Sequence, residues 1–348
     1  MPDQPLEVRK GEELDLVRLN RYLSGFPEIR EARDQMQFPG GYSNLTYLLK
    51  TRTGEFILRR PPVGAAIKSA HDMGREFRVL SLLRPHYPKV PRPILFCDDP
   101  EVIGAPFYIM ERLTGVILRP SSLKELKYSP AEMRALSEAL VDNLVALHSL
   151  NISSTNLSQL GKPEGYISRQ VEGWTKRYRA AQTDSIKDLD ELSSWLVAHQ
   201  PRDGTPAFIH NDYKYDNIVF RDMSPEIVGV LDWEMATVGD PWMDVGASLA
   251  YWCEAGDGEL SRVFNISWLP GNLTRRQVIE RYMEKSNRSA ENLLFYYVFG
   301  LFKNAVIAQQ IYARWKLGHS KDSRFGELIH VIRDLGRRGH ETIEHDRI

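Results

Sequence analysis

Apolar and polar positions alternate over short stretches in the first third of the chain, and recur at helical spacing in the rest. A turn cluster at 40–44, GGYSN, leads into LTYLLK; Thr53-Gly54 makes a second turn, and EFILRR follows. That pattern predicts a β-hairpin with a glycine-rich entry. Met73, Phe77, Leu80 and Leu83 recur every three or four residues, which predicts a helix over 70–84 stopped by Pro85 and Pro88. After VPRPI, the segments LFCDD and FYIMERL read as strands, separated by the turn residues Pro100 and Gly104. A five-stranded sheet with one helix fits this region.

Beyond it the spacing is mainly helical. Ser129-Pro130-Ala131-Glu132 forms a capping box with proline at the first helical position, and the helix behind it buries Leu136, Leu140, Leu144 and Leu147. A second helix is predicted over 186–199, ended by Pro201. Three strand-like pieces follow: AFIH, NIVF and IVGVLD. Asp240-Pro241 caps another helix running to Trp252, and 292–316 reads as a long helix rich in aromatics. The fold class expected is α+β, with a small β-rich lobe over 1–113, a hinge at 110–114 and a larger, mainly helical lobe over 114–348. A cleft between lobes is a preferred place for a ligand.

Composition narrows the picture a little. The chain has 348 residues, enough for two lobes, and a formal net charge of −1. That balance gives no bulk electrostatic case for nucleic acid or an anionic membrane. The start, MPDQPLEVRKGEELDLV, has no apolar core of a secretory signal, and no apolar run approaches a membrane span. The expectation is a cytoplasmic protein. N-x-S/T triplets at Asn44, Asn151, Asn156, Asn265, Asn272 and Asn287 are then read as unmodified. Cys97 and Cys253 lack metal-ligand spacing and read as reduced, buried side chains.

The chemistry concentrates in FIHNDYKYDNIVF, residues 208–220. Between two apolar ends lie His210, Asp212, Lys214, Asp216 and Asn217. Taken singly, each has a structural reading, since a polar loop with Asp and Asn is most often a turn. The joint pattern is more specific: H-x-D-x-x-x-x-N, then an apolar strand that ends in Asp232. Two strands flanking a turn would bring Asp232 beside Asn217. An amide and a carboxylate oxygen are hard ligands that suit Mg²⁺, which keeps its other positions for water and phosphate. Asp212 is then free to accept a proton. Lys214, two residues on, projects to the same side and can neutralise a phosphoryl group. Phosphoryl transfer needs this inventory of positioning, metal, base and positive charge.

HNDYKYDN resembles the protein-kinase catalytic loop H-R-D-x-K-x-x-N. LDWE and GDPWMDVG are similar to segments of the aminoglycoside phosphotransferase and choline kinase branch. FPGGYSNLTYLL, FILRRPPVG, GREFRVLSLL, VPRPILFCDD and IGAPFYIMERLTG resemble, within that branch, the kinase-like domain associated with certain acyl-CoA dehydrogenases. The resemblance covers roughly 37 to 318, and no dehydrogenase domain follows in this sequence. It implies a protein-kinase-like bilobal fold, with nucleotide binding in 1–113 and catalysis and acceptor binding in 114–348.

By the same resemblance Asp212 is the base, Asn217 and Asp232 are the magnesium ligands, and His210 braces the loop. Arg59 falls where the family holds the nucleotide's phosphates, in place of the lysine of protein kinases; a guanidinium can bind phosphate bidentately. Strand alternation puts Ile57 and Arg59 on one face and Arg60 on the other. Adjacent Arg60 leaves the register open by one residue. Glu76 is the implied partner of Arg59, although spacing alone also fits a glutamate at the edge of the helix face. Gly40, Gly41 and Ser43 sit where the phosphate-covering loop belongs. Met110 lines the rear of the pocket, and the backbone of Glu111 and Leu113 meets the adenine.

The reaction implied is ATP- and Mg²⁺-dependent phosphorylation of a small-molecule hydroxyl. Lys303 and Arg314, on a largely apolar helix, could suit an anionic acceptor, and the resemblance points to a hydroxyacyl-CoA. Two alternatives stand beside it. One is a catalytically silent, kinase-like nucleotide-binding module, favoured by Arg59 and by the departure from G-x-G-x-x-G. The other is a metal-dependent hydrolase with His210, Asp212 and Asp232 as ligands, which needs further histidines that the sequence does not cluster nearby.

Overall fold

The computed structural model describes residues 4–39, 44–62, 72–122, 127–222, 224–263, 265–320 and 322–348. Gly40, Gly41 and Ser43 lie outside these. The chain forms two compact units, one of 1–117, 218–222 and 227–234, the other of 118–217, 223–226 and 235–348.

The first unit is built on five antiparallel strands in the order β1-β2-β3-β5-β4: β1 (Ala32–Gln37), β2 (Leu45–Thr51), β3 (Glu55–Arg60), β4 (Pro93–Cys97) and β5 (Phe107–Glu111). The β2–β3 hairpin pairs Leu48 with Ile57 and Thr46 with Arg59, and β3 pairs Ile57 with Met110 and Arg59 with Tyr108. Alternation gives each face its own task. Tyr47, Leu49, Phe56, Leu58, Phe107 and Ile109 enter a core with Leu19 and Leu23 of α1 (Leu16–Leu23). Ile57, Arg59, Tyr108 and Met110 share the other face. Helix α2 (Met73–Leu83) packs on β4 and β5, and Phe77 stacks on Phe96. The short α3 (Pro100–Ile103) joins β4 to β5 and ends on the left-handed Gly104.

A hairpin from later in the chain completes this unit. β7 (Ile218–Phe220) pairs antiparallel with β8 (Ile227–Val230), and Ile218 lies opposite Val230. Val116 exchanges backbone hydrogen bonds with Phe220 at 2.8 and 2.9 Å, and the Val230 N–H donates to the Lys89 carbonyl at 2.8 Å. Leu113 packs closely over Gly229, where a Cβ would lie 2.2 Å from Leu113 Cδ1 and would push that side chain aside.

The second unit is mainly helical: α4 (Pro130–His148), α5 (Tyr166–Ala181), α6 (Lys187–Ala198), α7 (Pro241–Tyr251), α8 (Arg275–Ser286), α9 (Leu293–Lys316) and α10 (Leu328–His345), with a two-stranded ribbon of β6 (Ala207–Ile209) and β9 (Thr237–Gly239). The capping box at Ser129 and Glu132 forms as the sequence indicates, with Pro130 in the first turn. Every residue of α7 is buried. Helices α7 and α9 touch through two glycines: a Cβ on Gly246 would lie 2.2 Å from the Tyr296 carbonyl oxygen, and one on Gly300 would lie 2.3 Å from that of Gly246. Both cysteines are free and buried. No helix among the described residues is long and apolar enough to cross a membrane.

Candidate active site

In the second unit the polar loop follows β6. Asp244 of α7 holds its backbone: Oδ2 accepts from the His210 N–H at 2.7 Å and Oδ1 from the Asn211 N–H at 2.8 Å. His148 pairs with Asp244 at 3.1 Å and with the Tyr282 hydroxyl at 2.8 Å, and all of these groups are buried. Burial works to raise the Asp244 carboxyl, but the hydrogen bonds and charge interactions with His148 and His210 together outweigh it and hold the group below the usual carboxylate range. Asn211 has φ of +66°, in the left-handed region where a non-glycine residue is strained. Its amide donates to the Tyr166 hydroxyl at 3.0 Å and to the Met235 carbonyl at 3.1 Å.

Asp212 comes next. Its N–H donates to His210 Nδ1 at 3.2 Å, so the histidine braces the loop. Lys214 Nζ lies 3.1 and 2.9 Å from the two Asp212 oxygens and 4.4 Å from the centre of the Tyr251 ring. Asn217 Nδ2 donates to the Asp212 carbonyl at 2.8 Å and to its Oδ2 at 2.9 Å. Burial would raise the Asp212 carboxyl; Lys214 and Lys303 more than offset this and keep it below the usual range. Burial opposes the charge on Lys214, yet Asp212 pushes its ammonium well above the ordinary value. Asp216 is pushed the other way, up to about 6, because burial prevails over Lys214 and Arg119.

In the first unit Arg59 and Glu76 are 8 % and 1 % exposed and pair at 2.5 Å. Arg59 Nη2 also donates to Asp232 Oδ1 at 3.2 Å. Burial pushes the Glu76 carboxyl up, against the pull of Arg59. Arg60 faces away, donating to the Ile103 carbonyl at 2.9 Å and lying over the Tyr47 ring. The one-residue ambiguity thus resolves with Arg59 as the partner of Glu76. Asp232, like Asn211, has φ of +66°. Such strain in non-glycine residues gathers at functional sites.

Ile57 and Met110 are buried opposite each other on β3 and β5. The Glu111 N–H is spent on the Arg92 carbonyl at 2.9 Å, and its carboxylate accepts from the Arg92 N–H at 3.0 Å. Leu113 packs against Gly229.

Hard oxygen donors remain for a metal. Asn217 spends its amide nitrogen on Asp212, which leaves its carbonyl oxygen, and Asp232 spends Oδ1 on Arg59, which leaves Oδ2. Each is a hard donor of the kind Mg²⁺ takes, an ion that binds through few protein ligands and keeps several waters. Among the described residues no three His, Cys, Asp or Glu side chains gather to hold a metal, as the hydrolase alternative requires. Three groups carry roles that the sequence did not assign to them. Asp244 anchors the polar loop after β6. Glu234 Oε2 accepts from Asn44 Nδ2 at 2.9 Å. Lys303 is 2 % exposed and donates to the Asn211 carbonyl, whereas Arg314 is exposed. The pairing of these two as an anionic-acceptor surface does not hold, because one is spent inside the core.

A model described as the phosphotransferase enzyme family matches residues 34–279. The chain belongs to that family. It is 36 % identical over 326 residues to acyl-CoA dehydrogenase family member 11 of Pongo abelii, a match that covers 92 % of this chain and 42 % of that protein. The chain thus spans less than half the length of that relative. A solved structure from Ralstonia eutropha JMP134, named provisionally as an aminoglycoside phosphotransferase, is 29 % identical with a TM-score of 0.80, over 96 % of this chain and 99 % of that one. Choline kinase from Cryptosporidium parvum Iowa II shares the fold at 14 % identity, with a TM-score of 0.55 over 92 % of this chain and 96 % of that one. The kinase-like fold, with its five-stranded antiparallel sheet, is as the sequence indicates.

Proposed function

We propose that the chain is an ATP- and Mg²⁺-dependent kinase that phosphorylates a small-molecule hydroxyl. The observation that carries this reading is Asp212: a half-buried carboxylate kept ionised by Lys214 and tied to the Asn217 amide. Asp212 accepts the proton of the acceptor hydroxyl as the oxygen attacks. Lys214 balances negative charge on the transferring group. Asn217 and Asp232 would hold the magnesium; chain continuity supports this, since Asn217 immediately precedes β7, Asp232 follows β8, and these strands pair. Bound there, the metal would neutralise charge on the nucleotide phosphates.

Arg59, oriented by Glu76, contacts phosphate, with Gly40, Gly41 and Ser43 covering the triphosphate. Ile57, Met110, Leu113 and the Glu111 backbone receive the adenine. Residues 1–113 serve the nucleotide, and 114–348 serve catalysis and the acceptor. The acceptor class proposed is a hydroxyacyl-CoA, supported by the acyl-CoA dehydrogenase relative, and the compartment proposed is cytoplasmic.

The test is nucleotide consumption screened against alcohols, amines and hydroxyacyl thioesters. With the substrate so found, Asp212→Ala should keep nucleotide binding and lower turnover about a hundredfold or more, in the range for loss of a general base. Normal turnover by that variant removes the base assignment. A silent nucleotide-binding module is the second reading, favoured by Arg59 being engaged with Asp232. Isothermal titration of ATP with and without Mg²⁺ separates them: a kinase requires the metal for tight binding, and a silent module ignores it.

A further inference from the structure

Among the described residues, Lys303 is a buried cation with no carboxylate in direct contact. It comes from the middle of α9, is 2 % exposed, and stands 5.8 Å from the centre of the Trp174 ring. Its Nζ donates to the Asn211 carbonyl. The charged groups facing it are the carboxylates Asp212 and Asp244 and the cations Lys214 and Arg177. A buried ammonium loses its hydration and gains little from one neutral carbonyl and a ring face. Stability alone would favour an apolar residue at this position.

What Lys303 does provide is the last hold on Asn211. That residue is strained, with φ of +66°, and it leads directly into Asp212. Asp244 takes its N–H, Tyr166 and the Met235 carbonyl take its side-chain amide, and Lys303 takes its carbonyl. With every polar group of Asn211 bonded, the direction in which the chain enters Asp212 is set. We propose that Lys303 is a positioning residue for Asp212, its ammonium clamping the Asn211 carbonyl so that the catalytic loop is held while the lysine is charged. The inference rests on Asp212 being the proton acceptor. It adds a pH-sensitive support, supplied by α9, that the reaction's inventory does not include.

Two readouts test it on the full chain. In lysine labelled with ¹³C at Cε, the Lys303 resonance, assigned by its loss in Lys303→Met or Lys303→Arg, should titrate near pH 8, because burial lowers its pKa to about 8. Asp212→Asn should move that midpoint down by about one unit, since the facing anion is gone. Turnover of magnesium ATP with the acceptor from the screen should show kcat falling above pH 8 while KM for ATP stays flat. Lys303→Met should lower kcat at least tenfold and lose that limb, and Lys303→Arg, charged at every pH tested, should keep most of kcat and lose the limb too. A midpoint in the ordinary range near pH ~10.4 that Asp212→Asn leaves unmoved overturns the clamp, as does wild-type kcat in Lys303→Met. If no acceptor supports turnover, the titration still decides, so failure of the clamp and failure of the kinase reading are told apart. If Lys303→Met does not fold, Lys303→Arg and Asp212→Asn carry both readouts.

Discussion

At the scale of single residues, two charges that look alike in the sequence behave differently once buried. Arg59 and Glu76 neutralise each other, so removing one leaves the other stranded. Arg59→Met should cost about 3–5 kcal/mol, as breaking a buried pair does, read as a lowered urea midpoint. Burial already pushes the Glu76 carboxyl up, and loss of Arg59 pushes it further. A carboxyl raised in the folded state binds protons that the unfolded state has released, so folding loses stability as pH rises. The deficit of Arg59→Met should therefore be larger at pH 8 than at pH 5.

Lys303 gives a pH dependence with its own window. Its pKa falls on folding from 10.5 to about 8, so the charged form is penalised below pH 8 and the penalty fades between 8 and 10.5. Wild type should gain on Lys303→Met by up to about 3 kcal/mol over that interval, from 1.36 kcal/mol per pKa unit, measured as unfolding free energy at several pH values. The contact of Asp212 with Asn217 was legible in the sequence because their spacing is a local pattern. Asp244 and Lys303 were not legible in their roles, because the groups they hold lie far away along the chain.

Among elements, the contact of α7 with α9 is the most exacting. Gly300→Ala or Gly246→Ala places a methyl on a backbone carbonyl, which only a shift of a whole helix can relieve. Each should cost about 1–3 kcal/mol or more, the range for overpacking, whereas Ser129→Ala at the cap of α4 should cost only about 1 kcal/mol. Urea unfolding ranks them. The same physics explains which elements the sequence revealed. The β2–β3 hairpin and α2, α4, α6, α7 and α9 show their periodicity openly. Helix α10 does not: Gly336 and Gly339 read as helix breakers, yet they let it approach Leu189 and Leu192 of α6 closely. Helix α5 hides its buried Tyr166, Ile167, Val171, Trp174 and Tyr178 among basic residues. In α8 only Arg275, Val278, Ile279 and Tyr282 are buried, too thin a stripe to stand out. Strand β1, ARDQMQ, buries only its two ends and so lacks alternation.

For the whole molecule, ligand linkage gives the broadest test. Magnesium ATP at a hundred times its Kd should stabilise the folded chain by about 2.7 kcal/mol, seen as a rise in Tm. ATP with the metal chelated should do less, and Asn217→Ala or Asp232→Ala should erase the difference. The hairpin of β7 and β8 has a further consequence, for the order in which the polypeptide is made. Residues 1–117 leave the ribosome before 218–234, but the unit they belong to is closed only by 218–222 and 227–234. Until then Gly229 is not yet there to pack on Leu113, and the backbone groups of Val116 that Phe220 later pairs remain exposed. A fragment ended at residue 117 would stay in that unfinished state for good. The unit that 1–117 belong to is therefore finished only when residue 234 is in place, so neither unit can be made by translating one uninterrupted stretch of the message.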